Sequence, residues 1–433
     1  MSADMRGALA IVLAFGVVLV VAEVWARRGG APERTRKVVH IGGSAIGVFM
    51  PLLVRSVLVA FVLTASLSLL FFVTSRGKLL RSVGGVSRPS RGSEYYPLAV
   101  WLVFVLADGE YWRYLASLLV LGIADAFAAL AGSSYGRIRY RVEEESKSVE
   151  GSLVFLVVAY LAILLPMLLL TGIARPVAVL ASLLVALIVT VFEAISLEGA
   201  DNLFVPVAAC VILGKITTKP LTEVIFQNVS FVVLTVVIGF AAWRVRALNV
   251  GATIGVLLFA YGLWSLGSPV WTIPFLVGCA AVAAARVRSS VGQTFGVRPV
   301  ARACIPLVAI LVLANSFENG SFWFGPYLAA LAALTASGVV RVGHMRPRAT
   351  LIAVAAVALI VVLPTVVVPA TRASVWAIGG LAAVSGVASG MVAWTKPGET
   401  RLGGVVPALE ACAAAGLLAA LQYEGVLGLW QIG

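Results

Sequence analysis

The chain reads as an all-α polytopic integral membrane protein, with about 14–16 transmembrane helices in two bundles. Three observations predict this. Hydrophobic residues fill 61% of the 433 positions and charged residues only 12%, which lies outside the range of soluble globules. Apolar runs near the ~20 residues that cross a bilayer recur along the whole chain, parted by short charged loops. The Lys and Arg residues gather in alternate loops, as expected for a chain that threads back and forth. The net charge of +13 is therefore assigned to membrane topology and not to a nucleic-acid surface.

Taken in order, the candidate spans are 7–26, 40–54, 57–74, 97–107, 115–132, 152–173, 176–195, 203–214, 228–243, 252–267, 269–285, 303–316, 321–340, 349–369, 374–393 and 404–423. The spans at 97–107 and 203–214 are short enough to be re-entrant. The first lacks a small-residue cleavage site before its charged flank and is read as a retained helix. With the N-terminus outside, loops 27–37, 75–92 and 133–151 are cytoplasmic and hold 14 Lys and Arg. The opposite side of this half holds only Arg6, Arg55, Arg113 and Arg175. If 203–214 crosses, the later cytoplasmic loops hold 11, against Lys215, Lys219 and Arg372 outside. This assignment places the polar motifs of the first half at the cytoplasmic face of the cell membrane. Cys210, Cys279, Cys304 and Cys412 show no metal or disulfide spacing and read as small core residues.

Acidic residues divide the chain. Fourteen of the nineteen Asp and Glu precede residue 203, including all four Asp. Magnesium chemistry needs carboxylate oxygens. Residues 1–227 are therefore expected to hold the chemistry. The acid-poor 228–433 is read as a structural or degenerate partner domain.

Four polar sites stand out in the first part. Arg36, Lys37 and His40 share a helix face by their spacing, either as a phosphate-binding cluster or as a topological anchor. Arg91 and Glu94 flank a Pro- and Gly-marked turn at a membrane entrance, with Tyr95 and Tyr96 following as interfacial or site residues. Asp125 lies inside an apolar run, where an acid is costly and marks a functional site by default. Beyond it, Lys147, Ser148, Glu150, Gly151 and Ser152 open the next apolar helix, a place that favours phosphate. The intervening Glu143, Glu144 and Glu145 read as a solvated charge run. Last come Glu193, Asp201 and Asn202, two carboxylates and an amide at the same face.

Carboxylates interleaved with Lys and Arg are what Mg²⁺-nucleotide phosphoryl transfer requires. The metal offsets phosphate charge, the cations steady the oxygens, and one acid takes the hydroxyl proton. Neither a GxxxxGK[ST] loop nor the protein-kinase motif set is present, so any such transfer uses a membrane-embedded design.

Arg36-Lys37-x-x-His40, Arg91-Gly92-x-Glu94-Tyr95-Tyr96-Pro97, Asp125-Ala126-x-Ala128-Ala129-x-x-Gly132-x-x-x-Gly136, Lys147-Ser148-x-Glu150-Gly151-Ser152, and Glu193 with Asp201-Asn202-Leu203-x-x-Pro206 together resemble the polyprenol kinase family over roughly 30–215. That family includes dolichol kinase, phytol kinase and the CTP-dependent diacylglycerol kinase of yeast. The resemblance implies transfer of a phosphoryl group from CTP (or ATP) to the hydroxyl of a lipid alcohol of the phytol, geranylgeraniol or dolichol class. On this reading Asp125, Lys147, Glu150 and Glu193 are catalytic, and Asp125, Glu150 and Asp201 hold Mg²⁺. Arg36, Lys37, His40, Arg91, Glu94, Ser148, Gly151, Ser152 and Asn202 bind the nucleotide. Two alternatives are a CTP-dependent cytidylyltransferase making a CDP-lipid and an ion-coupled secondary transporter. The transporter would use Asp125 and Glu193 as ion ligands near the midplane.

Overall fold

The structure is a computed structural model; it describes residues 2–76, 80, 91–287, 294–317, 320–343, 347–365, 377–384 and 405–423. It is almost wholly helical. Ten helices among the described residues are long and apolar enough to cross a membrane, and shorter apolar helices lie at Gly92–Ala107, Ile352–Pro364 and Leu409–Tyr423. The protein is an all-α polytopic membrane protein. It divides into two compact units, Met1–Val229 and Ser230–Gly433.

The first unit runs α1 (Ala3–Arg27), α2 (Pro32–Val48), α3 (Met50–Leu53), α4 (Val57–Arg76), α5 (Gly92–Ala107) and α6 (Tyr111–Leu119). A π-helical turn follows at Val120–Ala124, and α7 continues from Asp125 to Tyr135. After a hairpin of β1 (Arg139–Val142) and β2 (Glu145–Ser148) come α8 (Val149–Leu170), α9 (Arg175–Ile195), α10 (Asp201–Ile216) and α11 (Leu221–Val245). The unit boundary falls within α11.

Two features differ from expectation. The span placed at 40–54 is a helix that begins at Pro32. Pro is suited to the first helical position, and Arg34 to Lys37 are no barrier to a helix. The loop at 133–151 contains an antiparallel hairpin, with Arg139 opposite Ser148 and Tyr140 opposite Lys147. Its turn is made by Glu143 at φ 54°, without the Asn-Gly or Asp-Gly pair that usually signals a hairpin. Arg88, Pro89 and Ser90 of the predicted turn, and most of the span at 374–393, lie outside the described residues.

Side chains from α1, α3, α4, α5, α6 and α10 form the first unit's core, including Ile11, Met50, Leu63, Val103, Tyr114, Leu118 and Cys210. In a bilayer such packing is driven by close contact more than by loss of water. Tyr114 satisfies its hydroxyl inside this core by donating to the Gly47 carbonyl at 2.7 Å.

The second unit holds α12 (Val250–Gly267), α13 (Pro269–Val287), α14 (Val297–Ser316), α15 (Gly320–Gly343), α16 (Pro347–Thr365), a helical segment at 377–384 and α17 (Val405–Tyr423). Its organising element is α15, buried over 94% of its apolar window. Ala329, Ala330, Ala332 and Ala333 are fully buried along it, and such small residues let neighbouring helices approach closely.

Candidate active site

The sequence motifs of the first unit gather at one end of its helices. On α2, His40 faces the start of α7: its Nε2 lies 3.9 Å from Oδ2 of Asp125. The Tyr96 ring from α5 meets His40 edge-on, with centroids 5.5 Å apart. Arg36 and Lys37, one turn earlier, lie near enough to act on the Asp125 charge. The Asp125 side chain keeps 36% of its surface accessible and His40 keeps 18%. The Asp125 side chain is thus partly exposed although protein surrounds it. It follows directly on the π-turn, a rare irregularity that concentrates at functional sites.

Lys147 enters from the hairpin. Its Nζ donates to Oε1 of Glu193 at 2.8 Å and to the Glu193 carbonyl at the end of α9. Burial alone would lower the pKa of this ammonium. The charges of Glu193 and Asp201 and the hydrogen bond to Glu193 outweigh burial, and hold it above the ordinary 10.5. Tyr140, opposite Lys147 in the hairpin, shares a 2.8 Å hydrogen bond with the Ser152 hydroxyl. Burial pushes the Tyr140 hydroxyl up, against the Ser152 hydrogen bond.

Asp201 opens α10, where its Oδ1 accepts from the Asn202 amide at 3.1 Å. Its charge reaches His40, Asp125, Lys147 and Glu193. Arg36, Lys37, His40, Asp125, Lys147, Glu193 and Asp201, drawn from five separate segments, thus form one electrostatic neighbourhood. Asn202 extends it sideways. A Cβ at Gly92 would collide with the Asn202 amide, so Gly lets the start of α5 lie against this loop. The Arg91 amide donates to the Glu198 carbonyl at 2.8 Å. Glu94 accepts from Ser75 at 3.0 Å.

The Lys147 to Ser152 segment works as a cap. Ser148 accepts from the Gly151 amide at 3.1 Å, closing the first turn of α8. A Cβ on Gly151 would sit 3.1 Å from the Ala128 carbonyl and 3.3 Å from Gly132 Cα, so paired glycines bring α7 and α8 together. Glu150, expected near the metal, has its carboxylate engaged elsewhere: it accepts from the amides of Arg137 at 3.0 Å and Ile138 at 3.1 Å. Glu145, expected in a solvated run, accepts from the Glu198 amide at 3.2 Å.

Among the described residues no three of His, Cys, Asp and Glu converge closely enough to hold a metal ion by themselves. Mg²⁺ is commonly bound by one or two carboxylates, with phosphate oxygens and waters completing its shell. Asp125 and Asp201 act on each other's charge within this neighbourhood.

The sequence did not single out Tyr140, and it left Tyr96 open between an interfacial residue and part of a family motif. Alternation of Arg139, Tyr140, Arg141 and Val142 was the available signal for the hairpin.

Fold and site define an integral membrane protein whose first unit gathers cations and carboxylates at its helix ends. A phytol kinase from Synechocystis sp. is 32% identical over 208 residues, which cover 46% of this chain and 85% of that relative. The chain belongs to the polyprenol and phytol kinase-like family. No protein-family model matches it, and no solved structure matches it.

Proposed function

We propose that the protein is a lipid-alcohol kinase that transfers the γ-phosphoryl group of CTP or ATP to the hydroxyl of an isoprenoid alcohol at the cytoplasmic membrane face. The observation that carries this is the meeting of Arg36, Lys37 and Lys147 with Asp125, Glu193 and Asp201 around one partly exposed carboxylate. Membership of a family that contains a phytol kinase supports the same reading.

Lys147, Arg36 and Lys37 hold the triphosphate oxygens, with Arg91 and Asn202 at the flank. Glu193 keeps Lys147 charged and aimed. Mg²⁺ held by Asp125 and Asp201 would offset the charge of the bridging phosphates. The acceptor hydroxyl sits beside Asp125, within reach of His40. Its oxygen bonds to the γ-phosphorus as the bond to the nucleoside diphosphate breaks, and its proton passes to the Asp125 carboxylate. Such transfers proceed through a loose transition state, so positioning and charge carry most of the rate.

The test uses the purified full chain with Mg²⁺, labelled CTP or ATP, and phytol, farnesol, geranylgeraniol, dolichol or diacylglycerol. Nucleoside diphosphate and a lipid monophosphate are the expected products. Release of pyrophosphate would instead mark a cytidylyltransferase. Orientation follows from cysteine labelling of intact cells: single cysteines at 36, 91, 147 and 201 stay unlabelled from outside.

A further inference from the structure

The hairpin after α7 turns one face inward. Along β1, Arg139 and Arg141 are exposed, Tyr140 is half-buried and Val142 is buried. Along β2, Glu145 and Lys147 are half-buried and Ser146 is exposed. Residues directly opposite in an antiparallel pair share a face, with Cβ atoms ~4.5–5.5 Å apart. Tyr140 is opposite Lys147, and Val142 is opposite Glu145. The inward face therefore carries Tyr140, Val142, Glu145 and Lys147.

Its three polar residues reach separate anchors. Lys147 Nζ donates to Oε1 of Glu193 at 2.8 Å, and Glu145 accepts from the Glu198 amide at 3.2 Å. These two hold β2 against the end of α9 and the turn that follows it. The Tyr140 hydroxyl shares its 2.8 Å hydrogen bond with Ser152, which ties β1 to the first turn of α8. The base of the hairpin is pinned to the same turn. The Val149 amide donates to the Ile138 carbonyl at 2.9 Å, and Glu150 accepts from the amides of Arg137 and Ile138. Lys147 thus stands between two supports, the end of α9 and the start of α8.

A Lys ammonium rides on a flexible four-carbon stem, so its position has to be imposed by its surroundings. Glu193 fixes the far end. Tyr140 is the cross-strand neighbour, and the charges of Glu193 and Lys147 both reach its hydroxyl. Phe would fill the same place with a similar strand preference. What Tyr adds is a hydroxyl, and that hydroxyl is engaged by Ser152. We propose that Tyr140 is a positioning residue of the phosphoryl transfer: locked to Ser152, it holds β1 on α8 and so sets where Lys147 meets the nucleotide phosphates. The inference rests on the kinase reading above. Ser152, expected from the family motif to bind nucleotide, acts on this account through Tyr140.

The experiment measures equilibrium binding of labelled CTP and ATP, with Mg²⁺, to the purified full chain, with melting temperature alongside. Tyr140→Phe is expected to weaken nucleotide binding per folded molecule by about 3- to 10-fold, the worth of one hydrogen bond. Ser152→Ala is expected to give the same loss, and the double variant no more than either alone. In a Lys147→Met background, Tyr140→Phe is expected to add nothing, because no ammonium is left to aim. Losses that add to that of Lys147→Met would mean that Tyr140 meets the nucleotide itself, and would overturn the inference. A clearly larger loss in Ser152→Ala than in Tyr140→Phe would also overturn it, since the serine would then bind nucleotide directly. Unchanged affinity in Tyr140→Phe with a lowered melting temperature is the pattern of a residue that only stabilises the fold, and it overturns this inference alone. A wild-type protein that binds neither nucleotide overturns the kinase reading and this inference together.

Discussion

The two units are built from similar helices yet place their charges differently. In Met1–Val229, ionisable groups from five segments meet around Asp125 and leave its side chain partly exposed. In Ser230–Gly433, the one described carboxylate, Glu410, is tied to Ser337 and to Arg341, whose side chain is 1% exposed. An intramembrane charge is expensive in either place. The second unit neutralises it with a fixed partner, which is what structural packing requires. The first unit keeps it partly exposed, which is what a reaction requires.

The sharpest way to break this contrast is Asp125→Asn, which keeps shape and removes charge. Turnover per folded molecule is expected to fall by about 10²–10⁴-fold, the usual worth of positioned acid–base catalysis, with little change in melting temperature. Near wild-type turnover would sink the mechanism. The mirror experiment is Glu410→Ala. Removing one member of a buried ion pair costs about 3–5 kcal/mol, so the melting temperature should drop while turnover in the folded fraction stays put. A loss of turnover without a loss of stability would place chemistry in the second unit.

Lys147→Met tests the junction of hairpin and bundle. Charged hydrogen bonds are worth roughly 1.5–3 kcal/mol, so nucleotide KM should rise by about 10- to 100-fold. It also carries a pH signature. Because the folded Lys147 holds its proton more tightly than its ordinary 10.5, its stabilising effect is complete below that pH and is lost as pH rises through the raised value. Thermal melts of the native protein should therefore weaken in strong alkali, and those of Lys147→Met should show less of that decline. The smallest expected effect belongs to truncation. A chain ending at Val229, where folded, is expected to turn over as the whole protein does. Activity that returns only when 230–433 is added back would move part of the site.

Much of this was legible in the sequence, and the parts that were not share a cause. Membrane class followed from composition, because the bilayer demands long apolar helices regardless of detail. Asp125, Lys147, Glu193 and Asp201 stood out because each is a charge beside an apolar run. Their pairing did not. Lys147 and Glu193 lie 46 residues apart in the chain, and nothing local in either segment specifies the other. Glu150 was expected from the family resemblance to hold Mg²⁺, whereas the backbone amides at 137 and 138, just before the hairpin, take its oxygens. That demand is invisible until the hairpin exists. The hairpin itself was hidden by its charge, which resembles a solvated loop.

The π-turn at Val120–Ala124 has a consequence for how this helix can vary. A π-turn accommodates one residue more than the α-helical ladder would. At ~3.6 residues per turn, one residue is worth about 100° of rotation. Everything after the turn, beginning with Asp125, is therefore out of phase with what precedes it. Both sides of the turn meet α2: Tyr114 donates to the Gly47 carbonyl at 2.7 Å, and Asp125 lies 3.9 Å from His40, two turns earlier on that helix. Deleting one residue within the turn would regularise the hydrogen bonding and at the same time swing the carboxylate to another neighbour. The irregular turn thus sets the register in which the carboxylate meets α2.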